Sequence, residues 1–166
     1  SQRSHAWDVY AVATVQEEVG LKGALTSAFG VNPDVGVAID VGHGNMLGVS
    51  EVDTVNVGGG PAIAFGPNIH PVLYEQLTAV AAKYEIPQQM DPIPGASGTD
   101  AWAMQVVREG LPTALISIPL RYMHTSVETL CLKDLERIGR LLALFIASLT
   151  EESAQQLGLP PKGKDD

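Results

Sequence analysis

Val9-Tyr10-Ala11-Val12-Ala13-Thr14-Val15-Gln16-Glu17-Glu18-Val19-Gly20 is the stretch whose reading decides the fold. Val9–Val15 alternates its side chains at the two-residue period of a strand, so Val9, Ala11 and Ala13 face one way and Tyr10, Val12 and Thr14 the other. The run stops at two adjacent carboxylates and a glycine, and Leu21–Phe29 then reads as a short helix. At the strand end Glu17 and Glu18 project in different directions, which lets two acids hold two jobs. In hydrolysis by metal-activated water, one carboxylate holds the metal and its neighbour takes the proton from the water. The plain alternative is a pair of solvated acids at a strand end.

The same alternation of strand and helix continues along the chain. Val35–Val41 reads as a strand buried on both faces, bounded by Asn32-Pro33-Asp34 and Gly42. Met46–Val57 is a weaker strand pattern, and Gly58-Gly59-Gly60-Pro61 breaks it. Pro71 suits a first helical position, and Val72, Leu73, Leu77, Val80 and Ala81 line one side of a helix that Ile86-Pro87 stops. Ser97 or Thr99 can cap a further helix running to about Glu109 and ended by Gly110, with a strand over Thr113–Ile118 beyond it. Leu132–Leu149 is the clearest helix, with Leu135, Ile138, Leu142, Phe145 and Leu149 on one stripe. Without repeats or an interior linker, the pattern predicts one α/β domain over residues 1–150, a three-layer α/β/α arrangement with a mostly parallel central sheet. Residues 151–166 read as a polar, frayed tail.

Composition narrows the function classes. Forty-five per cent hydrophobic residues in 166 is enough apolar material for a core. No run reaches the ~18 apolar residues of a membrane span, and residues 1–7 lack a secretory signal, so a cytoplasmic protein without a membrane partner is expected. Cys131 is the single cysteine, which excludes an internal disulfide and a cysteine-built zinc site and leaves a buried small hydrophobe as its role. A net charge of −9 argues against nucleic acid, whose phosphates call for a basic face.

Any metal must therefore use His, Asp and Glu, and in α/β sheets ligands gather beyond the carboxyl ends of strands. Glu17-Glu18, Asp40 and His124 sit at or beyond three such ends, a hard set of carboxylates and imidazole suited to zinc, cobalt or manganese. Asp40 lies within Ala38-Ile39-Asp40-Val41, where an unpaired carboxylate is expensive, so it should ligate a metal or pair with a cation. His124 alone is more often a structural histidine than a ligand. Asp100 reads either as a first-turn acid of a helix or as a substrate contact. His43 is a conceivable ligand or supporting group, or a solvated loop histidine.

Together, Thr14-Val15-Gln16-Glu17-Glu18-Val19-Gly20-Leu21-Lys22-Gly23-Ala24, Ala38-Ile39-Asp40-Val41, Gly98-Thr99-Asp100-Ala101 and Pro119-Leu120-Arg121-Tyr122-Met123-His124 resemble the glutamyl and deblocking aminopeptidases that build tetrahedral particles. The resemblance spans Asp8 to Leu149. It implies that Glu17 is the general base, that Glu18 and Asp40 bind one metal ion each, and that His124 completes the second metal's shell. It further implies removal of N-terminal residues from peptides by a metal-bridging hydroxide in a dinuclear zinc or cobalt site, with Asp100 and Arg121 on the substrate side and a homo-oligomer, a dodecamer in the resembling family. Members also carry, upstream of the Gln-Glu-Glu motif, a histidine ligand and a metal-bridging aspartate that this sequence does not show. His5 and Asp8 do not replace them, because the nine residues from Asp8 to Glu17 span roughly 30 Å in an extended strand. The expectation is the C-terminal part of a longer enzyme, weakly active or inactive alone, with Val9–Val15 left as an edge prone to self-association.

Two other classes stay open. An endoglucanase-type glycoside hydrolase also uses two acids, but they must flank the sugar about 5 to 9.5 Å apart, which neighbouring residues satisfy poorly, and stacking aromatics are scarce at 5%. A catalytically silent assembly subunit would fit the absent ligands.

Overall fold

Two parallel strand pairs, set against each other in opposite directions, form the sheet that positions everything else. The computed structural model describes residues 4–160. Its elements are α1 (Lys22–Val31), β1 (Gly36–His43), β2 (Ala62–Phe65), α2 (Pro71–Lys83), β3 (Gln89–Pro92), α3 (Asp100–Met104), β4 (Thr113–Arg121), β5 (Thr129–Leu130), α4 (Leu132–Ser148) and α5 (Glu151–Gln156). The order is β1-β4-β2-β3, with β5 added to β4. Gly36–His43 runs parallel to Thr113–Leu120, and Ala62–Phe65 parallel to Gln89–Pro92. The antiparallel contacts, β2 and β5 on β4, are each two residues long.

β4 is central because its sequence is apolar on both faces. Ala114 and Ile116 point to the layer of α2 and α4, where they join Ile63, Leu73, Leu77, Leu141 and Phe145. Leu115 points to the opposite layer and meets Ala38, Ala64 and Ala101. Helices on both faces of a mainly parallel sheet give the three layers that the sequence predicts. Small residues on the α3 side, Ala38, Ala64 and Ala101, let the first turn of α3 lie close to the sheet, which brings Asp100 toward Asp40.

Asp134 is fully buried in the first turn of α4. Its carboxylate accepts the N–H of Gly58 at 2.7 Å and of Gly60 at 2.9 Å, and Arg137 donates to it at 3.1 Å. It therefore closes the glycine turn that leads into β2, where a Cβ on Gly60 would strike the backbone of Pro87.

The structure corrects several expectations. Val9–Val15 belongs to no sheet, and Val9, Tyr10, Val12 and Val15 are exposed; an alternating run becomes a strand only where another strand offers its ladder groups. Met46–Val57 is no strand: it holds a 3-10 turn at Glu51–Asp53 and an isolated bridge from Gly44 to Val55. The third helix ends at Met104 rather than near Glu109. Of the stripe read in α4, Ile138, Phe145 and the following Leu149 are buried, Leu142 packs against the core and Leu135 is exposed, while Asp134, Leu141 and Leu144 complete the buried face. Cys131 is only half-buried, at the N-cap of α4. Residues 151–156 are helical rather than frayed, since Thr150 and Ser153 form a reciprocal capping box; residues 161–166 of the expected tail lie outside the described residues. β2, β3 and β5 were not foreseen.

Candidate active site

The Glu17-Glu18 pair is held by a turn, not by a strand end. Gly23 donates to the carbonyl of Val15 at 2.9 Å, Lys22 to that of Gln16 at 3.4 Å and Leu21 to that of Glu17 at 3.0 Å. The chain reverses within six residues, with Gln16 and Leu21 left-handed at φ 59° and 55°. Gly23 is the residue this close approach requires, since a Cβ there would collide with the backbone of Val15.

His124 arrives from a second turn, directly after β4. Tyr122 and His124 are left-handed as well, at φ 59° and 60°, and Thr125 closes the turn by donating to the carbonyl of Tyr122 at 3.2 Å. Glu128 accepts the His124 backbone N–H at 2.7 Å. The outcome is contact between the two turns: His124 Nε2 lies 3.2 Å from Glu18 Oε1. Both side chains are exposed, so this pair adds at most about 1 kcal/mol of stability. His124 thus gains the fold little through this pair while its left-handed backbone costs about 1–3 kcal/mol.

Asp40 stands on β1, half-buried, with Oδ1 accepting the N–H of Val41 at 2.7 Å. Burial pushes its carboxyl above the usual aspartate range; the Val41 N–H opposes this, and the negative charges of Asp100 and Glu18 add to it. Asp100 is the first residue of α3, where Oδ2 accepts from Thr14 at 2.6 Å and the buried Oδ1 has no hydrogen-bond partner among the described residues. Glu17 is likewise pushed up, first by partial burial and then by Asp40, Glu18 and Asp100, with His124 opposing. Glu17, Glu18, Asp40, Asp100 and His124 are thus within one another's electric field although they come from four separate segments.

Arg121, the last residue of β4, donates from Nε to the Asn45 carbonyl at 2.6 Å and from Nη2 to Asn45 Oδ1 at 2.9 Å. It anchors the segment after β1. His43 ends β1, exposed, and its carbonyl accepts the N–H of Val55. Three participants escape a reading of the sequence alone: Thr14, which orients Asp100; Asn45, which holds Arg121; and Asp91 on β3, which accepts at 3.0 Å from Ser117, the register partner of Asp40. Only the strand order brings Asp91 there.

The donor types suit a divalent ion, carboxylates with one imidazole. The number does not close: among the described residues no group of three or more His, Cys, Asp or Glu side chains could hold a metal ion. Glu18 with His124 offers two ligands, and Asp40 stands apart from them.

Asp40 yields a prediction for the metal-free chain. Its folded carboxyl titrates above the unfolded one, so the cost of ionising it in the fold is absent at pH values below the unfolded pKa and fully present above the raised folded value. Asp40→Asn keeps an oxygen for the Val41 N–H and carries no charge. It should raise the melting temperature at neutral pH, and the gain should vanish in acid. Calorimetric melting in chelator at several pH values checks both.

Comparison with known proteins adds the context. The sequence pattern described as M42 glutamyl aminopeptidase matches residues 1–141. The lysyl aminopeptidase of Pyrococcus furiosus is 43% identical over 145 residues, which are 87% of this chain and 42% of that protein. A solved aminopeptidase of the archaeon Desulfurococcus kamchatkensis superposes with a TM-score of 0.84 at 43% identity, over 97% of this chain and 46% of that one. The TET1 peptidase of Pyrococcus horikoshii, which can assemble into a tetrahedron or a large octahedral shell, superposes with a TM-score of 0.68 at 34% identity, over 82% and 40%. The chain spans less than half the length of these relatives.

Proposed function

The chain belongs to the M42 glutamyl aminopeptidase family, and on that premise we propose that residues 1–150 form the C-terminal part of an aminopeptidase catalytic domain that removes N-terminal residues from peptides. The observation that carries the reading is the meeting of the Glu17-Glu18 turn with the His124 turn, beside Asp40. Glu18 with His124, and Asp40 apart from them, are the residues that would hold two divalent ions, zinc or cobalt; such ions, when bound, acidify water and polarise a carbonyl. The carboxylate of Glu17 has no hydrogen-bonding partner among the described residues, lies within the electric field of these groups, and is pushed toward a more basic carboxylate, as a general base requires. Asp100, fixed by Thr14, and Arg121 stand on the substrate side in this reading. Peptides are the substrates in this reading, and a homo-oligomer is its assembly, supported by the shells of the TET1 relative.

The same geometry disfavours a glycoside hydrolase, since Glu17 and Glu18 occupy one turn instead of opposite sides of a sugar. A catalytically silent subunit is the second reading, favoured by the absence of any three-ligand group among the described residues. Release of amino acids from short peptides, with and without added zinc or cobalt and with a soluble glucan as control, separates the three. For the 166-residue chain as it stands, calorimetric titration with zinc should show weak binding and hydrolysis should be negligible, because catalytic zinc usually takes three protein ligands. Tight binding of two ions with brisk turnover would contradict this.

A further inference from the structure

A cavity of about 370 Å³ opens between the segment after β1 and the end of β4, lined by Met46, Leu47, Val49, Glu51, Arg121 and Tyr122 among others. Both walls continue into the site. One is the continuation of the strand that carries Asp40, and the other contains Tyr122, which belongs to the turn that carries His124. The first wall is fixed in place: Arg121 grips both oxygens of Asn45, Gly44 donates to the Leu120 carbonyl at 2.7 Å, and Gly44 and Val55 form a bridge across the base of the segment.

We propose that this cavity is the subsite for the side chain of the substrate's N-terminal residue, and that it selects long side chains with an apolar stem and a neutral or cationic tip over acidic ones. The proposal rests on the aminopeptidase reading and deepens it. Met46, Leu47, Val49 and Tyr122 supply apolar wall for a stem, and Met adapts to stems of differing shape. Two charges line the space. The guanidinium of Arg121 is half-buried and directed at Asn45, where it orders the wall. The carboxylate of Glu51 is exposed and makes no hydrogen bond or ion pair among the described residues, which leaves it available to a cationic tip.

The chain has four methionines, Met46, Met90, Met104 and Met123, so carbon-13 labelling of the methyl groups gives one reporter in the cavity, one beside His124 and two distant controls. The probes are L-leucinamide, L-lysinamide and the α-amide of L-glutamic acid, added to the labelled 166-residue chain. The Met46 methyl should shift saturably with leucinamide and lysinamide, and more weakly with the glutamic acid amide. Glu51→Gln should weaken lysinamide by about two- to five-fold, the effect of a surface ion pair, and leave leucinamide binding and the Met90 and Met104 signals unchanged. An unmoved Met46 signal, or equal affinity for the acidic and basic amides, overturns the proposal. Parallel assay of amide hydrolysis, in the active enzyme that contains this chain and is supplied with zinc, keeps the two claims apart. A Met46 response without hydrolysis retains the subsite and counts against the peptidase, whereas hydrolysis with a silent Met46 retains the peptidase and removes the subsite.

Discussion

Glu17→Gln is expected to lower turnover by about 100- to 10,000-fold in active enzyme, with KM and metal content little changed. The amide has the shape of the carboxylate but accepts no proton, so the loss falls on the chemical step. The fold should not register the change. Glu17's backbone, not its side chain, anchors the turn, through the bonds from Gly20 and Leu21 to its carbonyl, and removing its charge relieves repulsion from Asp40, Glu18 and Asp100. Steady-state kinetics on a peptide substrate, metal analysis and thermal melting on the same preparation make the test. Unimpaired kcat would place the base elsewhere, and a collapse in metal content would assign Glu17 to the ligands.

The second large effect concerns folding. Asp134→Ala should cost about 3–5 kcal/mol, the loss seen when one partner of a buried charge pair is removed. Two backbone N–H groups, on Gly58 and Gly60, lose their acceptor, and Arg137 loses the carboxylate it pairs with. Asp134→Asn supplies one oxygen where two are needed and should fall between wild type and Ala. Urea unfolding followed by circular dichroism reads the difference, and a loss below 1 kcal/mol would mean that water replaces the carboxylate at the glycine turn.

What the sequence could and could not tell follows from where the information resides. β1, the longer α2 and α4, and the core of β4 announce themselves through local pattern: Pro71 opens α2 as expected, and Ala114-Leu115-Ile116 is apolar because both of its faces are covered. Ala62–Phe65 and Gln89–Pro92 do not, since four residues of Ala-Ile-Ala-Phe carry no period and β3 is an edge strand that tolerates Pro92. Val9–Val15 carries the period without the pairing, which depends on residues far away in sequence. Among the candidate site residues, local motif singles out Glu17, Glu18, Asp40 and His124, and of these the structure brings Glu18 and His124 into contact, through turns that no strand-end reading predicts. The supporting contacts, Thr14 with Asp100 and Asn45 with Arg121, join positions 86 and 76 residues apart and have no local signature.

Gln16, Leu21, Tyr122 and His124 all occupy the left-handed region that glycine enters freely. In a library of random substitutions sorted only for thermal resistance, glycine and asparagine should accumulate at these four positions, because each relaxes its turn at no cost to the core. Sorted for peptide release, the same library should keep His124 while still drifting at Leu21, whose side chain makes no polar contact among the described residues. The left-handed turns thereby turn a comparison of two selections into a map of which residues serve the fold and which serve the chemistry.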